Sequence, residues 1–344
     1  MNLLKNIFID ILGKRNNNVL FNTWNAKEKT CITNLNGSYD LLIFDFDNRL
    51  GDSIYLALFI SEISNLNFFK NIYVFTNNNN IIYKYLNHYH KNLFIVKYKS
   101  YLSLLIYLFK FKNNKIVSVN LDPGIRVIYF LSLRILKLSL NIGFSKNIFN
   151  IININLNDIS INFKLNHHLY KINEILSLFN NKYTHYEFHD YIFVKHIRKH
   201  FPLENNQLIF INCSSSDLNR QLDFSILKNM IEIVKNDFNE ILIRYDNINN
   251  QKFELTKITH CKLIYDNLND LLNDLKKCKC LISVDTSFIH LASLLNIPTL
   301  SIYFDRHFNP YVWSGKMDNN NSVFISNLKK DCSLIINNFI KQYK

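Results

Sequence analysis

The sequence predicts an α/β protein of two doubly wound, Rossmann-like domains, on three observations. Short apolar runs alternate with helical patterns along most of the chain, which specifies parallel sheets covered on both faces. The alternation comes in two series separated by a polar, aromatic tract, and 344 residues suit two such domains of roughly 150 residues each better than one core. Residues 284–304, VDTSFIHLASLLNIPTLSIYF, continue a buried strand into a polar turn at Asp285, Thr286 and Ser287, then an amphipathic helix, Pro298 as a breaker and a second strand. At such a corner the unpaired N–H groups and the helix dipole favour an anion such as a diphosphate.

In the first series YDLLIFDF reads as a strand and DSIYLALFISEIS as a helix. NIYVFT, LFIVKY and KIVSVN follow as strands, with helices IIYKYLNHY and YLSLLIYLFKF between them, and helix RVIYFLSLRILKL and strand NIGF complete the series. Residues 167–179 read as a further helix and 180–206, which include Pro202, as the linker. The second series has strands QLIFINCS, EILIRYD and CKLIYD, with helices at 224–235, near 251–259 and at LNDLLNDLKKC. A last helix reads over 331–344, with a return to the first domain left open. The expected division is an N-terminal extension at 1–38, a first domain at 39–200, a second at 201–327 and a C-terminal helix at 328–344.

Hydrophobic residues make up 48% of the chain and charged residues 19%, which excludes the disordered class. A formal charge of +13 points to an anionic partner: nucleic acid, a phospholipid surface or a phosphorylated substrate. The basic residues are dispersed and no nucleic-acid motif is present, so nucleic acid is not expected. Six cysteines show no Cys-x-x-Cys spacing, so neither a zinc site nor a disulfide framework is expected; Cys278 and Cys280 read as small strand residues and the compartment as reducing and cytoplasmic. Charges such as Arg134 and Lys137 interrupt the long apolar runs, so no spanning helix is expected. At the N-terminus Lys5 and Asp10 break the apolar stretch, which argues against a signal peptide. Leu3, Leu4, Ile7, Phe8, Ile11 and Leu12 instead share one helical face beside Lys5, Lys14 and Arg15. That stretch reads either as an interfacial helix in peripheral contact with a membrane or as a helix packed on protein. No two of the six glycines are close enough for Gly-x-Gly-x-x-Gly or a Walker loop, which excludes those nucleotide sites.

Four segments carry a further signal: LIFDFDNRLGDSIYLALFISEI; NLDPGIRVIYFLSLRI with the later NIGF; IFINCSSSDLNRQLDFSIL; and VDTSFIHLASLLNIPTLSIYF. Together, in this order from about residue 42 to residue 304, they resemble the heptosyltransferase-like sugar transferases of glycosyltransferase family 9. Gly51, Gly124 and Gly143 fall where the family pattern has glycine. Two departures stand out: Ser287 replaces the usual glycine of the diphosphate turn, and DNINNQ replaces a Gly-rich turn that approaches the nucleoside. The resemblance implies a GT-B type fold, an acceptor-binding domain followed by a donor-binding domain across an interdomain cleft. It also implies inverting transfer of a sugar, heptose from ADP-heptose, from the nucleotide-sugar donor to a lipopolysaccharide or other surface-glycan acceptor. That acceptor would be an anionic glycan or glycolipid. No cofactor and no metal are implied, and the setting is cytoplasmic, peripheral at the inner face of the membrane. A hexose or N-acetylhexosamine donor on the same fold is the first alternative. A non-catalytic sugar-nucleotide-fold binding subunit is the second.

The resemblance makes Asp52 the candidate general base; without it, Asp52 reads as a helix N-cap. Asp285, Thr286, Ser287 and His290 form the donor corner, with the N–H groups of residues 286–288 on the diphosphate, against the plainer reading of a capped helix with a buried histidine. Ser214, Ser215, Ser216 and Arg220 are assigned to the facing side of the donor, against a polar loop with a solvated arginine. Gly51, Arg49 and Arg126 are assigned to the acceptor, the arginines against plain surface charge. Asp45 and Asp47 have the Asp-x-Asp spacing of a metal site in another glycosyltransferase fold, a reading set aside in this α/β context. His167 and His168 read as structural.

Overall fold

The computed structural model describes residues 39–45, 50–77, 80–111, 115–119, 140–143, 154–155, 168–204, 206–215, 220–245, 258–260, 266–304, 320–325 and 328–343. The N-terminal extension, with its amphipathic stretch, lies outside the described residues. So do Asp47, Arg49, Gly124, Arg126, His167, Ser216 and the helix expected over RVIYFLSLRILKL.

The first series forms a parallel sheet of β1 (Tyr39–Asp45), β2 (Phe69–Thr76), β3 (Leu93–Lys97), β4 (Ile116–Val119), β5 (Leu140–Gly143) and β6 (Ile154–Asn155). Helices α1 (Leu50–Asn65), α2 (Ile81–Tyr89) and α3 (Tyr101–Phe109) follow β1, β2 and β3, and the strand order is β3-β2-β1-β4-β5-β6. β1 is buried at every position after Tyr39, as a strand covered on both faces must be. Two buried carboxylates in this part are satisfied by phenols: Tyr83 Oη donates to Asp45 at 2.5 Å and Tyr183 Oη to Glu62 at 2.9 Å. Asp45 is thus a structural acceptor at the end of β1.

The second series forms another parallel sheet: β7 (Leu208–Asn212), β8 (Glu240–Arg244), β9 (Ile258–His260), β10 (Cys278–Val284), β11 (Thr299–Phe304) and β12 (Asn320–Ile325). Its order, β12-β11-β10-β7-β8-β9, repeats the plan of the first: the opening strand central, the next two on one side, the last three on the other. The α/β, doubly wound expectation therefore holds for both sheets. The remaining helices are α4 (His168–Phe179), α5 (Ile192–His200), α6 (Phe224–Val234), α7 (Leu268–Leu275), α8 (Ser287–Leu295) and α9 (Leu328–Gln342). Among the described residues, no helix is long and apolar enough to cross a membrane.

The chain divides into two compact units. Residues up to Asn48 with Phe59–Asn166 and Tyr170–His185 form the first, and Arg49–Leu58, His167–Leu169 and Tyr186–Lys344 the second. Several expectations are corrected. The tract read as a linker contains two 3₁₀ turns (Asn181–His185 and Phe188–Asp190) and α5, because Tyr183, Tyr191, Phe193, Val194 and Ile197 are buried there. Part of the stretch read as a helix near 251–259 is β9, whose pairing with β8 overrides local propensity. β12 was not foreseen in NNSVFI; it is drawn out by its ladder with β11. α9 belongs to the second unit and not the first. Its Ile336, Phe339 and Ile340, spaced to share one face, enter the core beside Leu227, Met230, Ile231 and Val234 of α6.

Candidate functional site

In a doubly wound sheet ligands lie beyond the carboxyl ends of the strands where the winding reverses, here between β7 and β10. β7 delivers Asn212 there, followed by Ser214 and Ser215; β10 delivers Asp285 and Thr286, followed by α8. Thr286 is the N-cap of α8, its hydroxyl accepting from Phe288 N at 3.3 Å, so one of the three N–H groups expected on a diphosphate serves the cap instead. Asn212 fixes that cap from β7: its Nδ2 donates to Thr286 Oγ1 and to Ser283 Oγ, both at 2.9 Å.

The far end of α8 is held as firmly. Asn296 adopts a left-handed conformation (φ 63) as C-cap, and Arg198 of α5 donates from Nε to Leu294 O at 3.0 Å and from Nη2 to Ser293 O at 3.2 Å. A cation on the terminal carbonyls both satisfies them and complements the dipole. Arg198→Ala is therefore expected to cost about 1–2 kcal/mol in chemical denaturation, with Arg198→Lys recovering only part, because lysine lacks the planar fork.

Two heads of helices meet here within the second unit. A Cβ placed on Gly51, in the first turn of α1, would lie 3.0 Å from His290 Cδ2 and 3.9 Å from Ser287 Cα, so a larger residue there would need the His290 ring to give by a few tenths of an ångström. His290 is buried, its Nδ1 3.2 Å from Tyr55 Oη and its ring edge-on to the Tyr55 ring with centroids 5.1 Å apart. Burial, reinforced by Tyr303 and Asp52, pushes the Tyr55 hydroxyl well above its usual pKa, so it stays neutral; Tyr303 is raised by burial and then by Asp285. Asp52 is the third residue of α1 rather than its N-cap, partly exposed, in the turn where the dipole favours a carboxylate.

Asp285 is buried and accepts from Arg220 Nη1 at 2.9 Å. The residues assigned to the donor corner and to its facing side thus meet each other here: the carboxylate holds the guanidinium, and the pair is locally neutral. Ser214 and Ser215 are buried, and Gln221 Nε2 binds Ser215 O at 2.8 Å, closing the loop after β7. The structure thus brings Gly51, Asp52, Ser287 and His290 together, and Arg220 with Asp285. Gly51 has a packing role at the His290 ring beside any part in binding.

Sequence reasoning missed Arg244. It ends β8 in register with Asn212, its guanidinium lies over the Phe288 ring at 5.0 Å, and its Nε is buried without a hydrogen-bond partner. The available signal was a lone cation closing the apolar run EILIR at a carboxyl end. Tyr55, one turn after Asp52 on the same helix face, had a similar signal.

No protein-family model and no curated protein matches the sequence. Solved structures do. The heptosyltransferase WaaC of E. coli, with ADP, superposes with a TM-score of 0.65 at 10% identity, over 89% of this chain and 100% of that one. The E. coli ADP-heptose lps heptosyltransferase II gives 0.61 at 9% identity over 88% and 99%. A glycosyl transferase of family 9 from Veillonella parvula gives 0.58 at 15% identity over 89% and 92%. At these identities the likeness concerns the fold, and the fold of this chain is the GT-B type fold of the heptosyltransferases of glycosyltransferase family 9.

Proposed function

We propose that this chain is an inverting glycosyltransferase moving a sugar, heptose carried on ADP, from a nucleoside diphosphate to a hydroxyl of an anionic surface glycan or lipopolysaccharide-type glycolipid. One observation supports this above all. Two helix heads and the Asp285–Arg220 pair converge at the switch point of a sheet, in a fold shared with a heptosyltransferase seen with ADP. The diphosphate binds at the head of α8, where N–H groups and the dipole favour anions. Because Arg220 is balanced by Asp285, Arg244 supplies the net positive charge. Asp52 takes the proton of the acceptor hydroxyl as its oxygen attacks the anomeric carbon, and the bond from that carbon to the diphosphate breaks. The developing charge on the diphosphate is met by groups already in place, so no metal is invoked.

A thermal-shift and calorimetric series with ADP, UDP, GDP and CMP tests this, since a ligand that binds only the folded state raises its stability. ADP is expected to stabilise the protein, and Arg244→Ala to weaken ADP binding about tenfold with the ligand-free melting temperature almost unchanged. Stabilisation by UDP or GDP instead moves the donor to a hexose or N-acetylhexosamine. Binding without transfer or donor hydrolysis favours the non-catalytic subunit, and no response to any nucleotide overturns the donor site.

A further inference from the structure

The first unit carries an apolar surface that sugar transfer does not use. α3 is set by a capping box: Ser103 N donates to Ser100 Oγ at 3.2 Å and Ser100 N to Ser103 Oγ at 3.0 Å. Leu104 and Leu108 bury its inner face. Its outer face presents Leu102 (68% exposed), Ile106 (56%) and Phe109 (57%), spaced i, i+4 and i+7, flanked by exposed Tyr101 and Tyr107. A helix of this length ordinarily turns polar side chains to water, so a continuous outward stripe of large apolar ones marks an interaction surface.

Charge identifies what covers it. Between residues 63 and 121 the chain has eight lysines (Lys70, Lys84, Lys91, Lys97, Lys99, Lys110, Lys112 and Lys115) and neither aspartate nor glutamate. Lys97 and Lys99 stand exposed just before α3, and Lys110 just after it with its Nζ 4.9 Å from the Tyr107 ring centroid. A second copy of the chain set symmetrically on this face would bring the lysines of one copy against those of the other, with no acid from residues 63–121 to offset them. Aliphatic Leu102 and Ile106 offer nothing to a nucleic acid. An anionic bilayer satisfies both parts of the surface: apolar side chains enter the acyl boundary while flanking cations meet headgroups.

We propose that α3 docks the protein on an anionic phospholipid membrane, with Leu102, Ile106 and Phe109 inserted and Lys97, Lys99 and Lys110 on the headgroups. This does not depend on the sugar-transfer reading. Co-sedimentation of the full chain with vesicles of phosphatidylcholine plus phosphatidylglycerol, against phosphatidylcholine alone, should show binding to the anionic vesicles that falls with added salt. Lys97→Gln/Lys99→Gln/Lys110→Gln is expected to weaken it roughly a hundredfold, three charges each contributing about a factor of five. Leu102→Ser/Ile106→Ser/Phe109→Ser is expected to abolish it, and all six sites are exposed, so melting temperatures should match the parent. Removing residues 1–15 is expected to leave most of the binding. Parent-like binding by both triple variants overturns the proposal. So does binding that disappears only with residues 1–15, or a parent dimer that the apolar triple variant converts to monomer.

Discussion

Asp52→Asn is expected to leave a folded protein that still binds its donor and transfers sugar at least ~100-fold more slowly. The structure sharpens this test, because Asp52 is the third residue of α1 and not its cap. The helix-head part of its structural contribution is the attraction of a carboxylate to the dipole, on the order of 0.3–1 kcal/mol, and asparagine keeps the size and hydrogen-bonding reach of the side chain. Asn has nearly the same shape beside Gly51 and Tyr55 but cannot accept the proton of an acceptor hydroxyl. The two roles therefore separate in one variant: a small change in melting temperature with a collapse of turnover supports the base. Near-normal transfer by a folded Asp52→Asn protein removes Asp52 from the mechanism.

Asp285→Ala is expected to be among the most destabilising changes at the site. The pair with Arg220 is intermediate between the exposed kind, worth about 0–1 kcal/mol, and the buried kind, where removing one partner costs about 3–5 kcal/mol. The Asp285 side chain is 9% exposed and that of Arg220 28%, so a loss of about 2 kcal/mol is expected in urea denaturation. The diagnostic measurement is the double-mutant cycle. If Asp285 serves chiefly to hold Arg220, then Asp285→Ala/Arg220→Ala should cost little more than Asp285→Ala alone, because the orphaned cation is gone. Strictly additive costs would mean that the two groups act independently.

Most of the fold could be read from the chain because strands buried on both faces leave unbroken apolar runs, such as LIFIN in β7, and helices between them carry the longer period. What escaped was decided by distant partners. α5 looked like a linker because Arg198, Lys199 and His200 dominate its end, yet Phe193, Val194 and Ile197 hold it to the core. β12 opens with polar residues and exists through its ladder with β11. At the site, the turn around Asp285 and the head of α1 were legible as local motifs. The pairing of Asp285 with Arg220, the Tyr55–His290 contact and the placement of Arg244 over Phe288 were not, since no local pattern encodes which distant side chain meets which. His290 shows the limit well: one turn into a helix it could serve a ligand or the core, and only the ring's neighbours reveal that it is packed between Tyr55 and the backbone at Gly51.

The contact at Gly51 also bears on how this sequence can change over generations. The chain is rich in asparagine, isoleucine and lysine and has only six glycines in 344 residues, the mark of a coding sequence under a steady compositional drift. A position where the smallest added side-chain atom would press on an imidazole ring at 3.0 Å resists that drift for as long as the ring holds its place. Residues 51 and 290 should therefore tend to change together: in related chains a larger residue at the first is expected where the histidine has shifted or given way to something smaller.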